Sequence, residues 1–159
     1  MASEHVENME YCRKNGYHRI GDSELPLIEA YTDRYKQFLA GSKTERTTIA
    51  NAVTLAEKNG FRALGADQAL KPGDRVYYNN RGLALYLAVV GQHKLTEGLN
   101  IVAAHVDSPR LDVRPRPLTE SDDIAYAMTH YYGWVRKYQW VSFPLMLQGV
   151  VVTREGKTH

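Results

Sequence analysis

The sequence predicts an α/β or α+β fold, on three observations. Amphipathic helical stretches fill the first third of its 159 residues, and strand-like runs fill most of the rest. Third, the apolar run Asn100-Ile-Val-Ala-Ala-His105-Val-Asp107 climbs to a histidine, and Ser108-Pro109 ends it. That is the layout of a buried strand carrying a histidine to its carboxyl end, with an acid two residues on.

The helices come first. Leu27, Tyr31, Tyr35 and Phe38 recur at spacings of four, four and three, so they share one helix face, and Gly41 ends the segment. Ser42-Lys-Thr-Glu45 fits a capping box, with the serine and the glutamate each satisfying an orphan amide. A second helix follows, with Ile49, Ala52, Val53 and Ala56 as its stripe and Gly60 as its stop. Both stripes read as packing surface, because amphipathic helices mostly cover a core.

Strand grammar begins after Gly60. Leu70–Asp74 is a turn, and Arg75–Tyr78 leads through Asn79-Asn80-Arg81-Gly82 into Leu83–Val90, a hairpin. Its second arm is apolar throughout, which predicts burial on both faces, and Leu99–Ala104 is another such arm. Leu111, Val113 and Pro115 alternate with Asp112, Arg114 and Arg116, as in a half-exposed strand. The polar link Thr119–Asp123, with Asp122-Asp123 as a solvated turn, precedes strand-like runs at Ala125–Tyr132, Lys137–Trp140 and Leu145–Thr153. Arg154–Lys157 is a turn. Ending one turn after an apolar strand with nothing to pair it predicts a truncated domain.

Composition excludes several classes. The apolar fraction of 43%, the charged fraction of 24% and a formal net charge of +2 suit a soluble globular chain with no polyanion partner. No apolar run approaches the roughly 20 residues of a membrane span. The single Cys12 permits no internal disulfide and favours a reducing compartment, and residues 1–8 lack the regions of a signal peptide. The expected location is therefore cytoplasmic.

Ala104-His-Val-Asp-Ser-Pro-Arg-Leu-Asp112, the strand end Arg114-Pro-Arg-Pro-Leu118, and Thr129-His-Tyr-Tyr-Gly133 with Lys137-Tyr-Gln-Trp140 resemble the aspartyl-aminopeptidase family of zinc metallopeptidases, in its less characterised bacterial branch. Lys43–Arg46 and Val76–Gly82 look like the same family. The likeness runs from about Leu25 to the end. It covers most of this chain but only the N-terminal third or so of a family member.

The resemblance implies a three-layer α/β/α metallopeptidase catalytic domain, incomplete here, that enters a β-rich dimerisation domain. Residues 1–24 then form an N-terminal extension, 25–125 the first part of the catalytic domain, and 126–159 the start of the inserted domain. It makes His105 a ligand of one of two zinc ions, with cobalt or manganese as alternatives, and Asp107 the residue that orients its ring. A carboxylate on the far ring nitrogen fixes the tautomer and raises the basicity of a ligating imidazole. The general base and the remaining ligands lie downstream in the family, which predicts that these residues alone are inactive. Peptide substrates and a dimer-based homo-oligomer, up to a dodecamer, are the implied partners.

His130 lies among Tyr131, Tyr132 and Trp134. It reads as a packed structural histidine before it reads as a lining of the substrate pocket. His5, His18, His93 and His159 carry no motif. Trp134 stands where relatives usually show a second glycine, which costs about 1–3 kcal/mol if the position needs a positive φ. Trp140–Pro144 lacks the acid–arginine pair of the better-known branch, so a preference for acidic residues is not implied. Two other classes compete with the enzyme reading. One is a non-catalytic fragment acting through its interfaces. The other is a single-stranded nucleic-acid platform, suggested by aromatics interleaved with Arg136 and Lys137 and by Arg110, Arg114 and Arg116 on one strand face. A near-balanced charge and the lack of a nucleic-acid motif weigh against the platform.

Overall fold

The structure is a computed structural model that describes residues 13–159. His5, Cys12 and the first half of the proposed extension lie outside it. The chain divides into two compact units, residues 1–40 and 41–159.

In the first unit a single 3-10 turn at Gly16–His18 precedes α1, Leu25–Gly41. Pro26 suits the first turn of a helix, where an amide is unpaired in any case. Tyr31 and Tyr35 stack one turn apart with ring centroids at 6.4 Å. Leu27, Tyr31 and Tyr35 share the face expected of them, yet among the described residues nothing buries them. The expectation of a covered stripe is not met here.

The second unit opens with α2, Glu45–Lys58, whose N-cap is Thr44 rather than Ser42. Thr44 is extended, its hydroxyl accepts from the Thr47 amide, and the Thr47 hydroxyl accepts from the Thr44 amide. The box therefore starts two residues later than the serine suggested. Ser42 is used instead as an acceptor for Asn51. The helix ends as Gly60 predicts. Gly60 has φ +80°, its amide donates to Glu57 O, and the Phe61 amide donates to Ala56 O, a Schellman closure.

Three strands follow: β1 (Arg62–Ala63), β2 (Arg75–Asn80) and β3 (Ala84–Val89). β1 runs parallel to β2, and β2 and β3 form the expected hairpin, closed by Arg81 and Gly82 at positive φ. α2 packs on this sheet. Ile49, Ala56 and Val76 are the buried apolar side chains among the described residues. β3 was expected to be buried on both faces, but Leu87 and Val89 are more than half exposed. Among the described residues α2 is the helix in contact with this sheet.

Residues 98–109 form no regular structure, and Val102 is 98% exposed. The expected strand at Leu99–Ala104 is absent because a strand exists only when a neighbour takes up its amides and carbonyls. Among the described residues none does.

β4 (Arg110–Ser121) and β5 (Ile124–Tyr132) form a second, two-stranded antiparallel sheet. β4 extends into the predicted polar link as far as Ser121, and Asp122 and Asp123, both at positive φ, make the two-residue turn. A register shift between Val113 and Leu118 accommodates Arg114–Pro117, with Arg116 at φ +55°. Lys137–Trp140 was expected as a strand and is instead a short helix, α3. Leu145–Val150 is irregular. Val151 and Thr153 bond back to His159 and Lys157 across the predicted turn, so the last apolar segment does find a partner.

Candidate metal-ligand site

The sequence places His105 and Asp107 two residues apart, and the structure joins them. His105 Nδ1 lies 2.8 Å from Asp107 Oδ1. An ionised carboxylate can only accept, so Nδ1 carries a proton, and in the neutral ring Nε2 then keeps a lone pair free to bind a cation. The imidazole is 84% exposed, and Nε2 has no hydrogen-bond partner among the described residues. This is the arrangement in which an imidazole ligates a metal while a carboxylate sets its tautomer.

The other oxygen of Asp107 is also held. The Tyr132 hydroxyl, at the end of β5, donates to Oδ2 at 2.8 Å. This bond first, and the His105 bond second, keep the Asp107 carboxyl below its ordinary pKa. The same bond raises that of Tyr132, because ionising the phenol would discard the donor and set two anions together. Behind the phenol lies Arg110, whose guanidinium sits 4.0 Å from the ring centroid. Arg110 is itself fixed by Asp112 (2.8 Å) and by Glu45 (2.9 Å), and Asp112 is the main cause of its raised pKa. Glu45 is free for this role because the capping box falls on Thr44 and Thr47.

A chain of contacts thus runs from the first turn of α2 through Arg110 and Tyr132 to Asp107 and His105. Motif reading missed its first three members, Glu45, Arg110 and Tyr132. Arg110 and Tyr132 are register partners across the β4–β5 hairpin. The irregularity between Val113 and Leu118 hides that pairing from any count of residues. Glu45 was visible as an acid in a helical first turn but was assigned to the cap.

His130 is exposed rather than packed. It pairs with Asp112 and shares a strand face with Tyr132, and its Nδ1 lies 3.3 Å from the Tyr131 carbonyl. The adjacent surface depression is lined by Tyr131, Gly133, Trp134, Val135 and Arg136. Trp134 is fully exposed, and the positive φ belongs to Gly133 at +78°. The indole therefore sits at an ordinary backbone position and carries no strain. The basic strand face is also used differently than a nucleic-acid platform requires. Arg110 is paired, Arg114 donates to Thr129 O, and the register shift breaks the alternation before Arg116.

Among the described residues no group of three or more His, Cys, Asp or Glu side chains could hold a metal ion. A catalytic zinc takes about three protein ligands and a water. His105 fits one of those positions, and the residues described do not complete the set.

The sequence model of the family described as "Aminopeptidase I zinc metalloprotease (M18)" matches residues 38–159. The chain is 43% identical over 147 residues to a probable M18 family aminopeptidase 1 of Clostridium acetobutylicum, covering 90% of this chain and 32% of that protein. It is 42% identical over 149 residues to the Thermotoga maritima counterpart, covering 93% and 32%. The crystal structure of aminopeptidase I from Borrelia burgdorferi superposes with a TM-score of 0.86 at 35% identity, over 91% of this chain and 36% of that one. The M18 aminopeptidase structure from Thermotoga maritima gives 0.82 at 41% identity, over 94% and 32%. The chain belongs to the M18 family of zinc metalloprotease aminopeptidases. It spans 32% of the length of the Clostridium and Thermotoga relatives.

Proposed function

We propose that these residues are the N-terminal part of a metal-dependent aminopeptidase that releases N-terminal residues from peptides at a two-metal site. The observation that carries this is the His105–Asp107 bond, which leaves an exposed and unshared Nε2. His105 is the ligand of one ion, Asp107 holds its ring, and His130 lies on the substrate side of β5. When bound, a metal pair polarises the scissile carbonyl and acidifies the attacking water. Zinc is the expected metal, with cobalt or manganese able to replace it.

In this reading residues 25–125 belong to a three-layer α/β/α catalytic domain, and 126–159 begin an inserted β-rich domain that mediates dimer-based assembly up to a dodecamer. No helix among the described residues is long and apolar enough to cross a membrane. We place the protein in the cytoplasm. The second reading, a non-catalytic piece acting through its interfaces, draws on the many exposed apolar side chains, Ile101, Val102 and Leu147 among them.

Hydrolysis of aminoacyl-anilides with added zinc, cobalt or manganese separates the two. The 159-residue chain alone is expected to show no turnover, since its described residues offer one well-placed ligand. The same residues joined to the remaining two-thirds of the Clostridium acetobutylicum relative are expected to turn over in a chelator-sensitive way. A folded, metal-loaded chimera with no activity would contradict the enzyme reading.

A further inference from the structure

Residues 99–109 make no backbone-to-backbone hydrogen bond among the described residues. Among the described residues no strand pairing aims the histidine. A carboxylate two residues along the same segment shares that freedom, so the His105–Asp107 bond cannot anchor itself. Asp107 is anchored from outside the segment, by the Tyr132 hydroxyl 25 residues away. Tyr132 is well fixed in turn. It lies in β5 opposite Arg110, and the guanidinium on its ring is tied to both Asp112 and Glu45.

We propose that Tyr132 is a positioning residue for the His105 imidazole. It pins Asp107 Oδ2 so that Oδ1 stays aimed at Nδ1, and Arg110 holds the phenol in place. This rests on the reading of His105 as a metal ligand and adds what keeps it ready to bind. The sign of the effect separates positioning from electronics. A carboxylate that loses a donor becomes a stronger acceptor, so a purely electronic role makes removal of the hydroxyl strengthen the histidine bond. A positioning role makes removal weaken it.

The test reads the neutral imidazole directly in the full 159-residue chain. Long-range proton–nitrogen spectra at about pH 8.5, roughly two units above an ordinary imidazole pKa, give the ratio of Nδ1–H to Nε2–H tautomers at His105. His18 serves as an exposed reference, and His105→Gln assigns the signal. The unsubstituted chain is expected to be mainly Nδ1–H. Tyr132→Phe keeps the ring beneath Arg110 and is expected to lower the ratio about threefold to tenfold, the range for losing one hydrogen bond. An unchanged or increased ratio overturns the proposal and leaves the metal-ligand reading standing. A mainly Nε2–H ring in the unsubstituted chain overturns both. Should Tyr132→Phe fail to fold, Asp107→Asn reads the same bond from its other end. The Tyr132 ring-carbon resonance beside the hydroxyl is expected to shift, and an unmoved resonance overturns the proposal.

Discussion

Asp107 has two carboxylate oxygens and two partners, and both partners are donors that favour its charged form. That is what an orienting carboxylate needs, since a protonated acid accepts less strongly and its O–H could instead donate to Nδ1 and favour the Nε2–H tautomer. In the metal-loaded chimera described above, Asp107→Asn is expected to lower metal affinity or turnover by about 10–100-fold, as changes behind a ligating histidine do. Equilibrium dialysis of zinc and anilide turnover check it, and a variant equal to the parent in both refutes the role. The His-x-Asp spacing was enough to find this pair. It could not reveal Tyr132, whose part depends on a hydrogen bond spanning 25 residues.

Two turns set the elements around that pair. Gly133, at φ +78°, follows Tyr132 directly, and a Cβ there would lie 3.3 Å from Pro109 Cα. Gly133→Ala therefore meets both an unfavourable backbone region and a backbone contact, and is expected to cost about 1–3 kcal/mol of stability. Urea denaturation measures this, and an unchanged midpoint argues against it. At the start of β2, Asp74 Oδ2 accepts from the Lys71 amide and faces the Arg62 guanidinium at 3.1 Å. These contacts, the Lys71 amide first, lower its pKa from 3.8. A group with a lowered folded-state pKa stabilises the fold above its unfolded value and loses that contribution as pH falls through the folded one. The parent is thus expected to melt above Asp74→Asn near neutral pH, with the gap closing below about pH 3.8. A gap independent of pH would show that the carboxylate charge is not what matters. Local punctuation made much of this legible: Gly60, the Leu70–Asp74 turn and the Asp122–Asp123 turn all lie where the residue types put them. The shifted cap was not legible, because Ser42 and Thr44 are equally good oxygen acceptors and only the extended backbone of Thr44 decides between them.

At the scale of the molecule, the expected buried arms are the informative failures. β3 is apolar throughout and Leu99–Ala104 is interrupted by Asn100 alone, which is the pattern of strands covered on both sides, yet their side chains are largely exposed here. Sequence pattern reports the surroundings a segment is suited to. The structure reports the contacts these residues make among themselves. The two differ where the required neighbours are not among the described residues, and the chain spans 32% of the Clostridium relative. The same reasoning covers the metal. One well-oriented imidazole was legible in the ten residues Asn100–Pro109, whereas the described residues supply no complete ligand set.

The central claim is that His105 binds catalytic zinc, and metal content tests it most directly. Residues 1–159 joined to the remainder of the Clostridium acetobutylicum relative are expected to hold two zinc ions per chain, a paired site of the kind that drives metal-assisted hydrolysis. His105→Ala is expected to lose at least one of the two, measured by atomic emission, and to lose turnover by about a hundredfold or more. A folded His105→Ala chimera that keeps both its zinc and its rate contradicts the account.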